Sequence, residues 1–210
     1  IIDWLRACGI RSVAMESTGV YWIPLYQMLS EAGFEVCLVN ARHYKNVRGR
    51  KSDVTDAEWL QYLHSVGLLQ ASFRPPQQIC AIRSLARHRE NLLKQAGQQV
   101  QYMQKALDQM NLHLHHVIDD ITGQTGMAII QAILDGQHNP QEPATLRNSR
   151  IKADQTVIAK ALEGDYRSEH LFVLRQALGT WRHLHQQLTQ CDHEMEQMTS
   201  LLEAKIDPAE

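Results

Sequence analysis

The sequence predicts an α/β unit followed by an all-α antiparallel coiled-coil hairpin. Two short apolar runs flank a helical pattern within about 30 residues, the signature of a βαβ unit with parallel strands. A heptad seam of roughly six repeats follows, and a second apolar run of the same period closes the chain. Shorter helical stretches lie between the two seams, so a long helix, a cap of short helices and a long returning helix are expected.

Residues 11–16 form a short apolar run that ends on Glu16, and Ser17-Thr18-Gly19 is a turn signal. Residues 20–32 carry Tyr21, Leu25, Met28 and Leu29 at helical spacing, with Pro24 in the first turn, where its missing N–H does no harm. Gly33 closes that helix as a left-handed residue, and 35–40 make the second strand. A polar, basic loop over 41–52 leads into a helix from Ser52 or Asp53 to His64, ended by Gly67. Phe73-Arg74-Pro75-Pro76 reads as a linker, because the residue before a proline is pushed extended. The domains are therefore drawn as 1–74 and 75–210.

The first seam runs Ile79, Ile82, Ala86, Arg89, Leu93, Ala96, Val100, Met103, Leu107, Met110, Leu114, Val117, Ile121. Read as one helix it is roughly 65 Å long. Arg89 is the exception in residue type and requires a partner within the seam. The second seam runs Leu171, Leu174, Leu178, Trp181, Leu184, Leu188, Cys191, Met195, Met198, Leu202. Between them, capping helices at 122–166 are expected, over 125–135 and 149–162, with Gly136 and Gly164 as their ends.

Composition narrows the function classes. The chain has 210 residues, 44% of them hydrophobic, with 11 Gly, 6 Pro and 4 Cys, which excludes a disordered, collagen-like or disulfide-scaffold protein. Cys8, Cys37, Cys80 and Cys191 lie far apart and fit reduced thiols in a cytoplasmic protein. No run approaches the ~18–20 apolar residues of a membrane span. The 21 basic residues against 23 acidic ones leave a net charge of −2, so nucleic-acid binding requires a local basic patch. The chain opens on Ile1-Ile2-Asp3-Trp4-Leu5, which reads as the tail of an amphipathic helix, and a fragment of a longer protein is expected.

The candidate chemistry lies in the first unit. Glu16 ends a buried parallel strand, and ligand sites of open α/β sheets sit at the carboxyl ends of strands. Asp53 and Asp56 are three apart at a helix start and share a direction. The helix returns to the same sheet edge, so the three acids can converge. Clustered carboxylates call for a hard divalent cation, and Mg²⁺ suits phosphoryl transfer. Ordinary capping acids are the competing explanation. Arg42, Lys45, Arg48, Arg50 and Lys51 lie on an acid-free loop directly before the Asp pair, where a phosphate backbone can be held. His113, His115 and His116 sit one and two residues apart on what reads as a continuous helix, so they face different directions and are expected to be exposed helix residues rather than metal ligands.

Several segments together resemble one family. Met15-Glu16-Ser17-Thr18-Gly19-Val20-Tyr21 is similar to the E-S/T-T-G segment of the DEDD-type transposases of bacterial insertion sequences. Asn40-Ala41-Arg42 and Lys51-Ser52-Asp53-Val54-Thr55-Asp56-Ala57 resemble that family's K-x-D-x-x-D-A segment. Asp119 through Gly123, Gly126 through Ile130, Ala132 through Gly136, and Gly164 through Phe172 resemble its later blocks in the same order. The resemblance implies an RNase H-like (RuvC-like) first domain, a coiled coil and DNA transposition guided by a bridging RNA. It also implies that Glu16, Asp53 and Asp56 are catalytic and metal-binding, that the basic loop binds nucleic acid, and that the coiled coil joins protomers into a homo-oligomer. The family's first Asp is then expected upstream of residue 1 and its serine nucleophile downstream of residue 210, leaving this piece inactive alone. Two alternatives share these residues: a Holliday-junction-resolvase-like nuclease with the same acids, and a non-catalytic helical oligomerisation module.

Overall fold

The computed structural model describes the backbone over 1–40 and 53–202 and the side chains over 1–40 and 56–202. The chain forms two compact units, Ile1–Pro76 and Gln77–Glu210. Among the described residues no helix is long and apolar enough to cross a membrane.

The first unit contains α1 (Ile2–Ala7), β1 (Ser12–Glu16), α2 (Trp22–Glu31), β2 (Glu35–Val39) and α3 (Asp53–Ser65). β1 and β2 pair in parallel, from Ser12 opposite Glu35 to Glu16 opposite Val39. The strands bury Met15 and Leu38 against Leu29 of α2 and against Phe34, with Ile2 and Leu5 of α1 packed on the same cluster. α2 ends in a Schellman turn: Gly33, at φ 85°, donates to the Ser30 carbonyl, and Phe34 donates to that of Leu29. The expected apolar face of α2 needs one correction. Tyr21 is 89% exposed and Met28 is also exposed. The helix begins at Trp22, so Tyr21 lies before the first turn, and Trp22 and Tyr26 take the inward role. Their rings meet edge to face, and the Arg74 guanidinium lies 5.0 Å from the Trp22 ring and 4.3 Å from that of Tyr26. Beyond β2, the Ser72 N–H donates to the Leu38 carbonyl (2.6 Å).

The second unit is helical: α4 (Gln77–Gln109), α5 (Leu114–Val117), α6 (Gln124–Leu134), α7 (Gln141–Ala144), α8 (Gln155–Ala161) and α9 (Ser168–Ser200). α4 and α9 pack along each other in opposite directions within one chain. Leu92 and Ala96 meet Leu184 and Leu188 midway, and near the open end Arg89 grips Asp192 through two nitrogens, Nη2 to Oδ2 at 3.3 Å. That pair answers the demand of an arginine in the seam. The Arg89 hydrogen bond also holds the Asp192 carboxyl below its usual range.

The seam of α4 differs from expectation by one position. Leu92 is 4% exposed and Leu93 44%, and Ala86 is exposed where Leu85 is half-buried. The inward stripe runs through 85, 89, 92, 96, 103, 106 and 107, sharing Arg89, Ala96, Met103 and Leu107 with the predicted one. The second seam lies as predicted, with Leu174, Leu178, Leu184, Leu188 and Cys191 buried.

α4 also ends earlier than its heptads imply. Asn111 adopts φ 60°, its N–H donates to Asp108, and the Leu112 N–H donates to the Leu107 carbonyl. This is a Schellman turn with Asn in the left-handed position. The chain then doubles back, and Leu112, Leu114, Ile118 and Ile121 fill the main core with α6 and α8.

The helix expected over 149–162 begins only at Gln155, because the Asp154 carboxylate caps it, accepting from the Val157 N–H (2.9 Å) and the Thr156 hydroxyl (2.7 Å). These bonds, that of Thr156 first, hold the Asp154 pKa below its ordinary value. The cap's contribution is therefore complete above the ordinary Asp range and is lost as pH falls through the lowered value. Asp154→Ala is expected to lower the melting temperature at pH 6, and the gap to wild type is expected to close in acid. Melting curves of both proteins between pH 6 and pH 2 check this, and a gap independent of pH contradicts it.

Candidate functional site

Glu16 is the last residue of β1 and is half-buried. Its position follows from the parallel pairing, which continues one step beyond it: the Ser17 N–H donates to the Val39 carbonyl at 2.9 Å. The turn then folds the Thr18 hydroxyl back to donate to Glu16 Oε1. Thr18 is a residue that sequence reasoning missed as a partner. A hydroxyl two residues after a strand-end acid is its only signal.

α3 packs against β1. Its far end is fixed by His64, whose Nε2 lies 2.9 Å from the Ser12 hydroxyl at the start of β1. Leu63 of α3 and Val39 at the end of β2 are buried in one cluster with Trp59 and Leu60 packed against it. Asp53 opens α3, and Asp56 follows in its first turn, half-buried. The Asp53 side chain lies outside the described residues, as do Arg42, Lys45, Arg48, Arg50 and Lys51. Were Glu16 and Asp56 to line one site, they would offer carboxylate oxygens, donors that suit a hard divalent cation.

In the second unit the histidines depart from expectation. Because α4 stops at Gln109, His113, His115 and His116 do not lie on its continuation. They sit on the returning chain beside Asp108. His113 Nδ1 and His115 Nε2 stand 3.7 and 3.6 Å from Asp108 Oδ1. The rings of His113 and His116 stack with centroids 5.2 Å apart, and those of His115 and His116 meet edge-on at 4.3 Å. Asn111, a residue able to take the left-handed conformation, was the signal that the helix breaks.

All four cysteines are free. No curated protein matches the chain. A family model described as "Transposase", of the DEDD type and named for IS110, matches residues 1–112, which cover the first unit, the whole of α4 and its terminal turn. The match spans both acidic segments and places the strand ending on Glu16 and the helix opening on Asp53 within a family of DNA-recombining enzymes. The chain belongs to the DEDD transposase family of the IS110 type.

Proposed function

We propose that the first unit is part of an RNase H-like nuclease domain in which Glu16, Asp53 and Asp56 hold Mg²⁺ against DNA during transposition. The observation that carries this reading is the placement of Glu16 at the carboxyl edge of the parallel pair, with α3 packed on the same strand. His64 ties the end of α3 to the start of β1. From His64 back to Asp56 is eight residues of helix, about 12 Å. From Ser12 to Glu16 is about 13 Å of strand. These matched lengths support a helix start and a strand end that lie near one another.

When bound, Mg²⁺ would supply Lewis-acid polarisation of the scissile phosphate. The chain's own part is to hold the carboxylates in place. Thr18 fixes one Glu16 oxygen by a hydrogen bond. The segment bearing Arg42, Lys45, Arg48, Arg50 and Lys51 precedes Asp53 directly in sequence and supplies cations for the phosphate backbone of DNA and of a bridging guide RNA. The long helices join protomers into a homo-oligomer that brings DNA ends together, in the bacterial cytoplasm at the nucleoid.

The test is excision of a marked element by the transposase carrying Glu16→Gln, Asp53→Asn or Asp56→Asn. Each variant is expected to lose excision while its circular dichroism and DNA binding stay as in wild type. Excision at the wild-type rate by any of the three removes that residue from the metal site.

A further inference from the structure

We propose that Asp108, His115 and His116 form a binding site for a divalent transition ion of the Zn²⁺ class, separate from the carboxylate site. Each of the three offers one ligand atom, and these atoms all lie within 4.8 Å of one another. The 3.6 Å from His115 Nε2 to Asp108 Oδ1 is too long for a hydrogen bond. It is close to the ~3.4 Å edge of a tetrahedron around an ion with ligands at about 2.1 Å. Imidazole nitrogen with one carboxylate selects Zn²⁺ and its neighbours over Mg²⁺, which prefers oxygen alone.

The hydrogen bonding around the cluster points the same way. His113 Nε2 lies 3.0 Å from Asn111 Oδ1, an acceptor, so this nitrogen carries the proton in the neutral ring. His113 Nδ1 then presents a lone pair, buried and without a hydrogen-bond partner, 3.7 Å from the carboxylate oxygen. Two lone pairs facing each other repel unless a cation lies near them.

Such an ion clasps the corner of the second unit. Asp108 belongs to the last turn of α4, and His115 and His116 belong to α5 beyond the Asn111 turn. The ion closes that turn from outside while Leu107 and Leu112 close it from within. The family match ends at residue 112, so the two histidine ligands lie beyond the matched residues.

The metal-stripped 210-residue chain is titrated with ZnCl₂ and, separately, MgCl₂, and followed by melting temperature and by bound metal per chain. Zn²⁺ is expected to bind at one ion per chain and raise the melting temperature by about 5 °C at saturating excess, with no shift from Mg²⁺. Co²⁺ is expected to give the visible absorption of a four-coordinate site. Asp108→Asn with His116→Asn, both exposed positions, is expected to abolish binding and shift while helix content is unchanged. Should the double variant fail to fold, His116→Asn alone carries the comparison. An unshifted wild type, an equal response to Mg²⁺, or a full Zn²⁺ response in the variants overturns the proposal.

Discussion

Gly164→Ala is expected to destabilise the second unit by about 3 kcal/mol, whereas Gly97→Ala in the same unit is expected to stabilise it. Gly164 is not needed for its dihedrals, since it is absent from the glycines at positive φ. It is needed for space. A Cβ there would overlap the Met110 carbonyl oxygen and lie 2.7 Å from Leu112 Cδ2. The overlapped oxygen is the one that accepts from the Asp165 N–H at 2.9 Å, and three residues beyond Met110 the His113 N–H donates to the Ala161 carbonyl at 2.8 Å. These bonds lay the 161–165 segment flat on the turn that ends α4. Met110 and Leu112 are fully buried, so neither can swing aside into water. Overpacking of this kind costs about 1–3 kcal/mol, and the loss of a backbone hydrogen bond adds about 1. Over a unit of this size the sum lowers the melting temperature by roughly 10 °C.

Gly97 is the opposite case, exposed in the middle of α4 with nothing within 4 Å of the added carbon. Ala there gains about 0.5–1 kcal/mol of helix propensity. Urea or thermal unfolding of the two variants reads both signs. A Gly164→Ala protein as stable as wild type would show that the close approach is not what the site requires.

Gly164 also shows where sequence patterns stop being informative. Gly33, Gly67 and Gly136 were legible as helix ends, and all three have positive φ. Gly164 looks the same in sequence, but its role is set by a backbone more than 50 residues away, which no local pattern contains. The α4 seam is a similar case. Heptad spacing continues in phase from Met110 to Leu114 and Val117, so periodicity reads one helix. The later residues are apolar for another reason: they fill the core beneath the hairpin. The local signal was Asn111, one residue against a run of well-spaced apolar ones. The misplacement of Leu93 for Leu92 has a simpler cause. Both fit a three-four pattern, and only the facing surface of α9 chooses between them.

In the first unit the parallel strands were legible to within a residue and α2 to within two, because β-strand runs and a glycine stop are local signals. The positions of Glu16 and Asp56 at a strand end and a helix start followed from those elements. The basic stretch Arg42–Lys51 falls outside the described residues, so its placement stays a matter of sequence alone. The grouping of the histidines beside Asp108 was illegible for the same reason as the helix break, since its geometry exists only once the chain turns at Asn111.

Asp56→Asn is expected to lower excision by at least about 10³-fold, and Glu58→Gln on the same helix is expected to leave it near wild type. The two substitutions remove the same charge, two residues apart, and so separate a metal ligand from a general electrostatic effect. Two positions on an α-helix are about 200° apart, so the side chains face away from each other. Asp56 is half-buried and Glu58 exposed, in keeping with that difference. Metal stabilisation of a phosphoryl transition state amounts to several kcal/mol, and each 1.36 kcal/mol is tenfold in rate. Loss of one carboxylate ligand forfeits about 4 kcal/mol of it, hence the factor of 10³. Asn keeps the size and one oxygen of Asp, so α3 and its anchor at Ser12 are retained, and unchanged circular dichroism verifies this. Were both variants equally impaired, charge near the DNA would be the cause. Were both fully active, the acids at the start of α3 would be ordinary caps, and the carboxylate site would have to be sought elsewhere.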